Sequence, residues 1–356
     1  MFDYCVIGGG IAGLSAAAAL AEHGTVCVLE REDSLGYHAS GRAAGIFVAD
    51  YGNAAVCALN RASFGALQAM EALSPRAMMM VAAQNEAEPF ETEAASLGLR
   101  EISLEDARAR CDALGPSVAR AALREDAFDL DTDRCLAHFR AQALANGAEI
   151  KLRAEVTSIA RVSDAWRVTT AAGEVEARAL VNAAGAWVDE IATLAKVRKI
   201  NIQPKRRSMA IVPWPDGKMR KDWPFVDGVN ESWYAKPDPA GLIVSPSDSD
   251  PVAPFDAWPE DMVIAEGLAR FEALMDFPVE RVTRTWAGLR SFVEDGALVI
   301  GPDPEVDGFF WCAAQGGYGF QVAPAAAAVL AHHVVGTPTP VDASATAALS
   351  PSRFRA

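Results

Sequence analysis

The feature that most constrains the fold of this chain stands at its first residues. A short apolar run (residues 2–7) ends directly before Gly8, Gly10 and Gly13, which are spaced as G-x-G-x-x-G, and the helix-forming run 14–21 follows. This pattern predicts a strand, a tight turn and a helix. Gly8 permits the turn, Gly10 lets the backbone approach a pyrophosphate, and Gly13 lets the helix pack close to the strand. The helix N-terminus then faces the phosphates, so the pattern indicates a dinucleotide-binding unit.

The residues after this helix strengthen the interpretation. Gly24 is expected to end the helix, residues 25–29 form a second apolar run, and Glu30 stands at its end. An acidic residue at that position binds ribose hydroxyls and disfavours NADP. The alternative, a glycine turn in some other α/β protein, does not require strand, helix and acid in this order. The fingerprint alone does not separate FAD from NAD.

Composition disfavours several classes of partner. Against 32 basic residues there are 47 acidic ones, a formal net charge of −15, which disfavours binding to nucleic acid and to anionic membranes. The six cysteines are scattered without CxxC spacing, so neither a metal site nor a disulfide framework is indicated and a cytoplasmic location is expected. No apolar run approaches the roughly 20 residues of a membrane span, and no signal peptide is recognisable.

Three later segments favour a flavin. Residues 35–42 form a polar glycine-bearing loop that suits the phosphates and the flavin edge, and residues 181–187 end an apolar strand in small residues. Taken singly, these two segments also fit a surface turn and ordinary packing. Residues 309–314 are typical of a buried strand, and a glycine-rich turn then leads into a helix through 325–333, with Pro324 expected in its first turn. The dipole of this helix suits negative charge on a flavin pyrimidine ring.

With these residues in view, the chain resembles the D-amino acid oxidase superfamily of flavoproteins, and most closely its bacterial D-arginine dehydrogenase type. The matching motifs extend over nearly the whole chain. They are VIGGGIAG (6–13), VLERE (28–32), GYHASGR (36–42), VNAAGAW (181–187), QPKRRS (203–208), TWAGLRSF (285–292) and FFWCAAQGGYG (309–319).

The resemblance implies an α/β and α+β fold, in which a Rossmann-like FAD domain of the glutathione-reductase type is interleaved with an antiparallel-sheet substrate domain. On this basis we expect an FAD-binding domain made of residues 1–76, 133–197 and 286–347. The substrate-binding domain then comprises residues 77–132 and 198–285. Alternating patterns at 208–212 and 232–242 predict antiparallel strands, but the interleaving itself comes from the resemblance.

The cofactor implied is FAD, held non-covalently because no cysteine lies in residues 288–293, near the attachment site of related sarcosine oxidases. His38 is expected to contact FAD without transferring a proton. The predicted cofactor site comprises Gly8, Gly10, Ile11, Ala12, Gly13, Glu30, Arg31, His38, Ser40, Gly41, Arg42, Ala43, Ala44, Gly45, Val156, Ala184, Gly185, Trp187, Gly316, Gly317, Tyr318, Gly319 and Gln321.

The resemblance also assigns residues to an amino-acid substrate. Arg207 and Arg290 match positions that hold its carboxylate, as suits a planar guanidinium fork, and Tyr51 and Tyr234 match hydroxyl donors. The carbonyl of Gly317 matches the acceptor for the amine. Without the resemblance, these arginines and tyrosines are typical of ordinary surface and core residues.

Two departures from the D-arginine dehydrogenase pattern concern the substrate side chain. Met78 stands where that enzyme has a glutamate facing the guanidinium, and Ile46 stands in place of a histidine. A cation buried against these residues would lack an ion partner, so a neutral or apolar side chain is expected. Gln321 is placed in the same pocket. Compensation by Glu86 or Glu88 is the less favoured alternative.

The sequence therefore predicts an FAD-dependent D-amino acid dehydrogenase that passes electrons to a quinone or another carrier. One alternative is an oxygen-using oxidase of glycine, sarcosine or a D-amino acid that releases peroxide. Another is a non-catalytic flavin-binding subunit. An NAD-linked dehydrogenase is disfavoured because a second dinucleotide fingerprint is missing.

Overall fold

The computed structural model describes residues 1–354. The strands are β1 (Phe2–Ile7), β2 (Val26–Leu29), β3 (Ile46–Phe47), β4 (Leu73–Pro75), β5 (Met78–Ala82), β6 (Arg100–Ile102), β7 (Arg120–Arg124), β8 (Phe128–Leu130), β9 (Glu149–Lys151), β10 (Val156–Val162), β11 (Ala165–Thr170), β12 (Gly173–Asn182), β13 (Gln203–Val212), β14 (Phe225–Gly228), β15 (Tyr234–Asp238), β16 (Gly241–Ser245), β17 (Arg284–Phe292), β18 (Val299–Pro302) and β19 (Phe309–Ala313). The α-helices are α1 (Ile11–Leu20), α2 (Ala54–Ala69), α3 (Ala87–Ser96), α4 (Leu104–Arg110), α5 (Thr132–Ala145), α6 (Val188–Leu194), α7 (Asp261–Leu274), α8 (Gly319–Val335) and α9 (Ala343–Leu349).

The first sheet has a parallel core in the order β9, β2, β1, β12, β19. Strand β2 is fully apolar and buried, and β1 is apolar and buried over its last three residues, which is typical of a parallel sheet covered on both faces. The long strand β12 pairs in parallel with β1 and β19 through its second half and antiparallel with β11 through its first half. Strand β11 in turn pairs antiparallel with β10. Strand β18 extends the sheet by pairing antiparallel to β19. The Rossmann-like expectation is confirmed.

The second sheet has eight strands in the order β17, β13, β16, β15, β14, β5, β7, β6, and all neighbours are antiparallel except β14 and β5. Helix α7 covers one face, where Trp233 and Phe271 are fully buried in an aromatic cluster. The opposite face of the sheet turns towards the first sheet. A small third sheet, β3, β8 and β4, joins the two parts of the chain.

Three details differ from the sequence-based expectations. Helix α1 begins at Ile11 and ends at Leu20, so Gly24 lies in the turn before β2 and does not end the helix. Helix α8 begins at Gly319, so Pro324 is inside it, beyond the first turn, and deprives the helix of one backbone N–H donor. The predicted boundary at residue 286 falls within β17, which pairs along its whole length with β13 and so belongs to the second sheet.

The division into an FAD domain and a substrate domain stays a prediction, but the sheets agree with most of it. Every strand of the first sheet lies within residues 1–76, 133–197 or 286–347. Within residues 1–354, no helix is both long and apolar enough to cross a membrane.

Candidate functional site

One cavity of about 580 Å³ lies where the carboxyl ends of β1 and β2 face the second sheet. Its volume is in the range of pockets that bind cofactors and substrates. Every residue predicted for the cofactor, the substrate or the side-chain pocket lines this cavity, except Gly13 and Gly41. The cavity has two ends, one built around the turn that precedes α1 and one built on the second sheet.

The glycine turn brings β1 and α1 into very close contact. A Cβ at Gly13 would lie 1.9 Å from the carbonyl oxygen of Gly8, and Gly8 itself has a φ of +113°. A Cβ at Gly41 would likewise lie 2.6 Å from the carbonyl oxygen of Gly36. Gly13 and Gly41 therefore shape the turn and the loop, which explains why neither lines the cavity.

The N-terminus of α1 opens into the cavity. The N-cap residue of α1, Gly10, has no side chain that could cap the helix, and the first turn carries no acidic group. The amide of Ile11 donates to the Ser40 hydroxyl (2.9 Å), and the amides of the following residues lack intrahelical acceptors. A helix start with glycine at its N-cap and further amides free suits a pyrophosphate.

Glu30 lies at the end of β2, with its carboxylate held by backbone amides. Gly9 N–H donates to its Oε2 (2.7 Å), and Glu32 N–H donates to its Oε1 (2.9 Å). The carboxylate is thereby fixed beside the turn, where it retains lone pairs that suit ribose hydroxyls.

The loop that follows β2 covers the middle of the cavity. The Arg31 guanidinium lies over the Trp187 ring (4.0 Å), and His38 Nε2 lies 2.8 Å from the Glu32 carboxylate. Arg42 joins this loop to the second sheet, because its Nη1 donates to the carbonyl of Ala287 in β17 (3.1 Å). His38 is thus engaged with a carboxylate beside the cavity, and its contact with FAD stays a prediction.

A second helix start points into the cavity from the other side. Gly316, with a φ of +50°, and Gly317 precede α8, whose first residues lack a side-chain cap among the described residues. The Tyr318 hydroxyl donates to the carbonyl of Gly296 (2.8 Å) and fixes the turn. This positive helix end suits negative charge on a flavin ring system.

Strand pairing places the two predicted arginines on one face of the second sheet. Arg290 on β17 is directly opposite Lys205 on β13, and Arg207 follows two residues later on the same face. The Arg290 Nη1 donates to the Tyr51 hydroxyl (3.3 Å), and a Cβ at Gly317 would lie 3.0 Å from the same nitrogen. The guanidinium, the phenol and the glycine backbone therefore converge on one point.

Glu231 occupies the space between the two arginines. Its Oε2 lies 3.2 Å from Arg207 Nη2 and 3.8 Å from Arg290 Nη2. Burial alone would lower the pKa of the Arg207 guanidinium, but Tyr234, Glu231 and Tyr51 raise it above its ordinary value. Burial raises the pKa of the Tyr51 phenol, so this hydroxyl stays protonated as a donor. The arrangement is an anion site that now holds a carboxylate from the protein itself.

The remaining predicted residues form the wall beside this anion site. Tyr234 on β15 stacks on Phe225 of β14 (5.1 Å between ring centres), and Ile46 and Met78 pack in the same apolar cluster. The Gln321 Oε1 accepts from the amide of Val48 (2.5 Å), so this side chain is held by the backbone. Ile46 and Met78 therefore line the cavity as the sequence predicted.

The sequence analysis missed three acidic residues at this end of the cavity, Asp227, Glu231 and Glu93. The two glutamates considered as alternatives do not line it, and Glu86 instead accepts from the amide of Ala83 (2.7 Å). Asp227 had a visible signal, since it interrupts an apolar run at 223–229 that otherwise has the composition of a buried strand. The other two lie in a helix and a turn where acidic residues are ordinary.

None of the six cysteines lines the cavity, and all six are buried thiols. The two helix starts that face the cavity, the anchored Glu30 carboxylate and the glycine-lined turn fit a flavin dinucleotide. Those residues would hold its pyrophosphate, ribose and ring system.

Comparisons with known proteins agree with this arrangement. Residues 3–333 match the family profile DAO, FAD dependent oxidoreductase. The glycine oxidase of Bacillus licheniformis is 24% identical over 358 residues, covering 96% of this chain and 95% of that protein. The hydrogen cyanide synthase subunit HcnC of Pseudomonas aeruginosa is 27% identical over 171 residues, so the match spans 46% of this chain and only 39% of that protein.

Solved structures show the same fold over the whole chain. Glycine oxidase from Geobacillus kaustophilus has a TM-score of 0.85 at 21% identity and covers 99% of this chain and 98% of its own. L-proline dehydrogenase from P. horikoshii has a TM-score of 0.84 at 21% identity, and the match covers 99% of this chain and 97% of that one. The resemblance to the superfamily is confirmed, while the closer likeness to D-arginine dehydrogenase stays a prediction. The chain belongs to the DAO family of FAD-dependent oxidoreductases and holds its FAD non-covalently.

Proposed function

We propose that the protein oxidises D-amino acids at the α-carbon and gives an imino acid that water hydrolyses to a 2-oxo acid and ammonia. The observation that carries the proposal is the anion site of Arg207 and Arg290, which has the size of a carboxylate because Glu231 fills it. Two guanidinium groups that converge on one carboxylate fix its orientation as well as its affinity. The D configuration rests on the motifs at 203–208 and 285–292 that resemble D-arginine dehydrogenases.

The residues around the anion site give each part of such a substrate a partner. The arginines hold the carboxylate, and the Tyr51 and Tyr234 hydroxyls are available as donors to it. The carbonyl of Gly317, close to Arg290 and Tyr51, is available to accept from the amine. FAD, when bound, supplies the acceptor for the hydride that leaves the α-carbon. The ammonium proton is lost to water, so that the amine is neutral when the hydride leaves.

The wall of the cavity supports an apolar environment for the side chain next to the α-carbon. Ile46, Met78 and Phe225 supply that environment. We therefore propose a substrate with a neutral or apolar side chain, as the sequence predicts, and expect arginine and lysine to be poor substrates. We propose a quinone or another carrier as the electron acceptor.

A second candidate is an oxidase that uses oxygen and releases peroxide, with glycine, sarcosine or a D-amino acid as substrate. The likeness to the glycine oxidase of Bacillus licheniformis over 96% of this chain favours it. The two candidates share the anion site and differ in how the reduced flavin is reoxidised.

Anaerobic mixing of the FAD-loaded protein with D-amino acids, L-amino acids, glycine and sarcosine, followed by air, tests both candidates. Bleaching of the flavin absorbance by D-isomers, with slow recovery in air, is the expected result. Fast recovery with peroxide would establish the oxidase, and bleaching by L-isomers alone would contradict the D configuration. If none of these compounds bleaches the flavin, the protein is a flavin-binding subunit or acts on another class of compound.

A further inference from the structure

The proposed function assigns no role to Asp227, a buried acid at the substrate end of the cavity. It lies on β14 and lines the cavity, and only 7% of the residue is exposed. Within residues 1–354, no group forms a hydrogen bond or an ion pair with its carboxyl group. Buried polar side chains almost always have a hydrogen-bond partner, and for this one the partner can only come from the cavity.

Strand pairing places Asp227 beside the anion site. Its register partner on β15 is Tyr234, and side chains directly opposite each other in an antiparallel pair start about 5 Å apart. The Arg207 guanidinium lies over the Tyr234 ring, 5.9 Å from its centre. A substrate whose carboxylate binds Arg207 therefore lies close to Asp227. Because the amine is assigned to the carbonyl of Gly317, the substrate side chain is the part that is left to face Asp227.

The surroundings of Asp227 favour its uncharged form. Burial, together with the neighbouring Glu231 and Glu93 carboxyl groups, raises the pKa of Asp227 well above its ordinary range, and Arg207 offsets this only in part. A protonated carboxyl group has one O–H donor and retains acceptor capacity. An apolar site can keep a carboxylic acid neutral so that it donates a hydrogen bond to a ligand.

The same neighbours disfavour the other kinds of substrate side chain. An anionic side chain would be repelled by Glu231 and Glu93, which line the same end of the cavity. A cationic side chain would require Asp227 to ionise and would lose its hydration against Ile46 and Met78. A purely apolar side chain would leave the Asp227 carboxyl group without a hydrogen-bond partner. An uncharged polar group avoids all three costs.

We propose that the substrate side chain carries an uncharged polar group, a hydroxyl or a carboxamide, which forms a hydrogen bond with the carboxyl group of Asp227. The proposal rests on the proposed function and narrows its substrate class to D-amino acids with polar, uncharged side chains. The carbons of such a side chain suit the apolar wall of Ile46, Met78 and Phe225, and its polar end suits Asp227. Asp227 is thereby a specificity-determining residue.

The first test compares polar D-amino acids with apolar ones of the same shape. Anaerobic flavin reduction of the FAD-loaded full chain is followed with D-threonine against D-valine, D-asparagine against D-leucine, and D-glutamine against D-homoleucine. The polar group lies further from the α-carbon in each successive pair. We expect kcat/KM to favour the polar member by about tenfold in the pair whose polar group reaches Asp227, as for one buried hydrogen bond. Apolar members that react as fast or faster in all three pairs would overturn the proposal and leave the proposed function standing.

Two variants separate hydrogen bonding from shape. Asp227→Asn keeps an uncharged hydrogen-bonding group of the same shape, so the polar-to-apolar ratio of kcat/KM should change by less than about threefold. Asp227→Leu keeps the shape and removes the hydrogen bond, so the ratio should fall at least about tenfold, through a higher KM for the polar member with little change in kcat. The control Glu266→Gln removes an exposed carboxylate on α7 and should leave the ratio unchanged.

Three other outcomes are distinguishable from the expected one. Equal losses for both members of a pair in Asp227→Leu would assign Asp227 to the fold or to the part of the substrate that all amino acids share, and would overturn the proposal. A ratio that is lost in Asp227→Asn as well, together with faster oxidation of D-lysine than of D-norleucine, would overturn it in favour of selection by charge. If no amino acid reduces the flavin, the proposed function itself fails.

Discussion

The two ends of the cavity are built by different means. The cofactor end uses backbone groups and glycines, and most of it comes from one stretch of chain, residues 8–45. The substrate end uses charged and aromatic side chains from strands that are far apart in sequence, such as β5, β13, β14, β15 and β17. The first end is therefore sensitive to added atoms near the backbone, and the second to the charge and shape of single side chains.

The largest effect is expected where an added methyl group meets the backbone of the cofactor end. In Gly13→Ala the new Cβ would lie 1.9 Å from the Gly8 carbonyl oxygen, so β1 and α1 must separate. We expect loss of most bound FAD and a stability loss of about 2 to 3 kcal/mol, as for overpacking in a core. The ratio of flavin to protein absorbance and the melting temperature measure both effects.

The control for that change is Gly65→Ala in helix α2, where a Cβ would have no neighbour within 4 Å. It should retain FAD and be slightly more stable, since alanine favours the helix. Full FAD content in Gly13→Ala would show that the turn tolerates an added methyl group. The claim that the cofactor end is sensitive to added atoms near the backbone would then be wrong.

At the substrate end, Arg290→Lys should leave the FAD content unchanged and impair the reaction. Lysine keeps the charge but loses the planar fork and the donor to Tyr51. We expect kcat/KM for the substrate to fall about 100-fold, of the order found when a bidentate contact is lost. Steady-state kinetics with a series of substrate concentrations gives the value.

Arg206→Lys is the informative comparison, because Arg206 lies beside Arg207 but on the other face of β13. It forms ion pairs with Glu260 (2.5 Å) and Asp248 (3.3 Å), outside the cavity. We expect a lower melting temperature and little change in KM. If Arg206→Lys and Arg290→Lys have the same effect on KM, the assignment of the anion site to one face of the sheet is wrong.

A smaller effect is expected from Glu231→Gln, which removes the carboxylate that occupies the anion site. Glu231 has a φ of +47° in an exposed turn, and its side chain is 45% exposed, so its hold on the arginines is weak. Without this internal competitor, a simple carboxylate such as benzoate should bind about 3- to 10-fold more tightly, corresponding to about 1 kcal/mol. Titration of the flavin spectrum measures the Kd, and Glu266→Gln serves as the control. Weaker binding in Glu231→Gln would mean that Glu231 orients the arginines and does not compete with the ligand.

The contrast between the ends also explains what the sequence could predict. The turn around Gly8, Gly10 and Gly13 and the position of Glu30 follow from local spacing, and the structure brings them together as expected. Local spacing predicts the bounds of the helices less well, because α1 ends at Leu20, before Gly24, and α8 begins at Gly319, so that Pro324 lies inside it. Ala-rich α8 tolerates Pro324 where burial against α1 and α2 stabilises the helix.

The substrate end was only partly accessible to such reasoning. Arg207 and Arg290 were predicted from a resemblance, since nothing in the local sequence separates Arg207 from Arg206. Strand alternation and the pairing of β13 with β17 determine which of these two arginines faces the cavity. The raised pKa of Asp227 depends on its burial and on Glu93, which is distant in sequence. A charge in a buried strand can be seen in a sequence, but its partners cannot.

The smallest predicted effect concerns the stability cost of that charge. The pKa of Asp227 is higher in the folded protein than in the unfolded chain, so the folded state binds the proton more tightly. Stability from this group is therefore fully present below the unfolded pKa of about 3.9 and is lost as pH rises through the folded pKa. Asp227→Asn should match the wild type in acid and exceed it at neutral pH, by on the order of 1 kcal/mol.

Urea unfolding of the wild type and Asp227→Asn across this pH range tests the point, with Glu266→Gln as the exposed counterpart. A gain in stability at neutral pH in Asp227→Asn would show that the substrate end carries this charge at the expense of stability. A pH-independent difference would mean that the carboxyl group finds a partner in solution. The cofactor end offers no equivalent gain in stability, because two backbone amides donate to the Glu30 carboxylate. Glu30→Gln would remove a charged acceptor from these amides without relieving an unpaired charge.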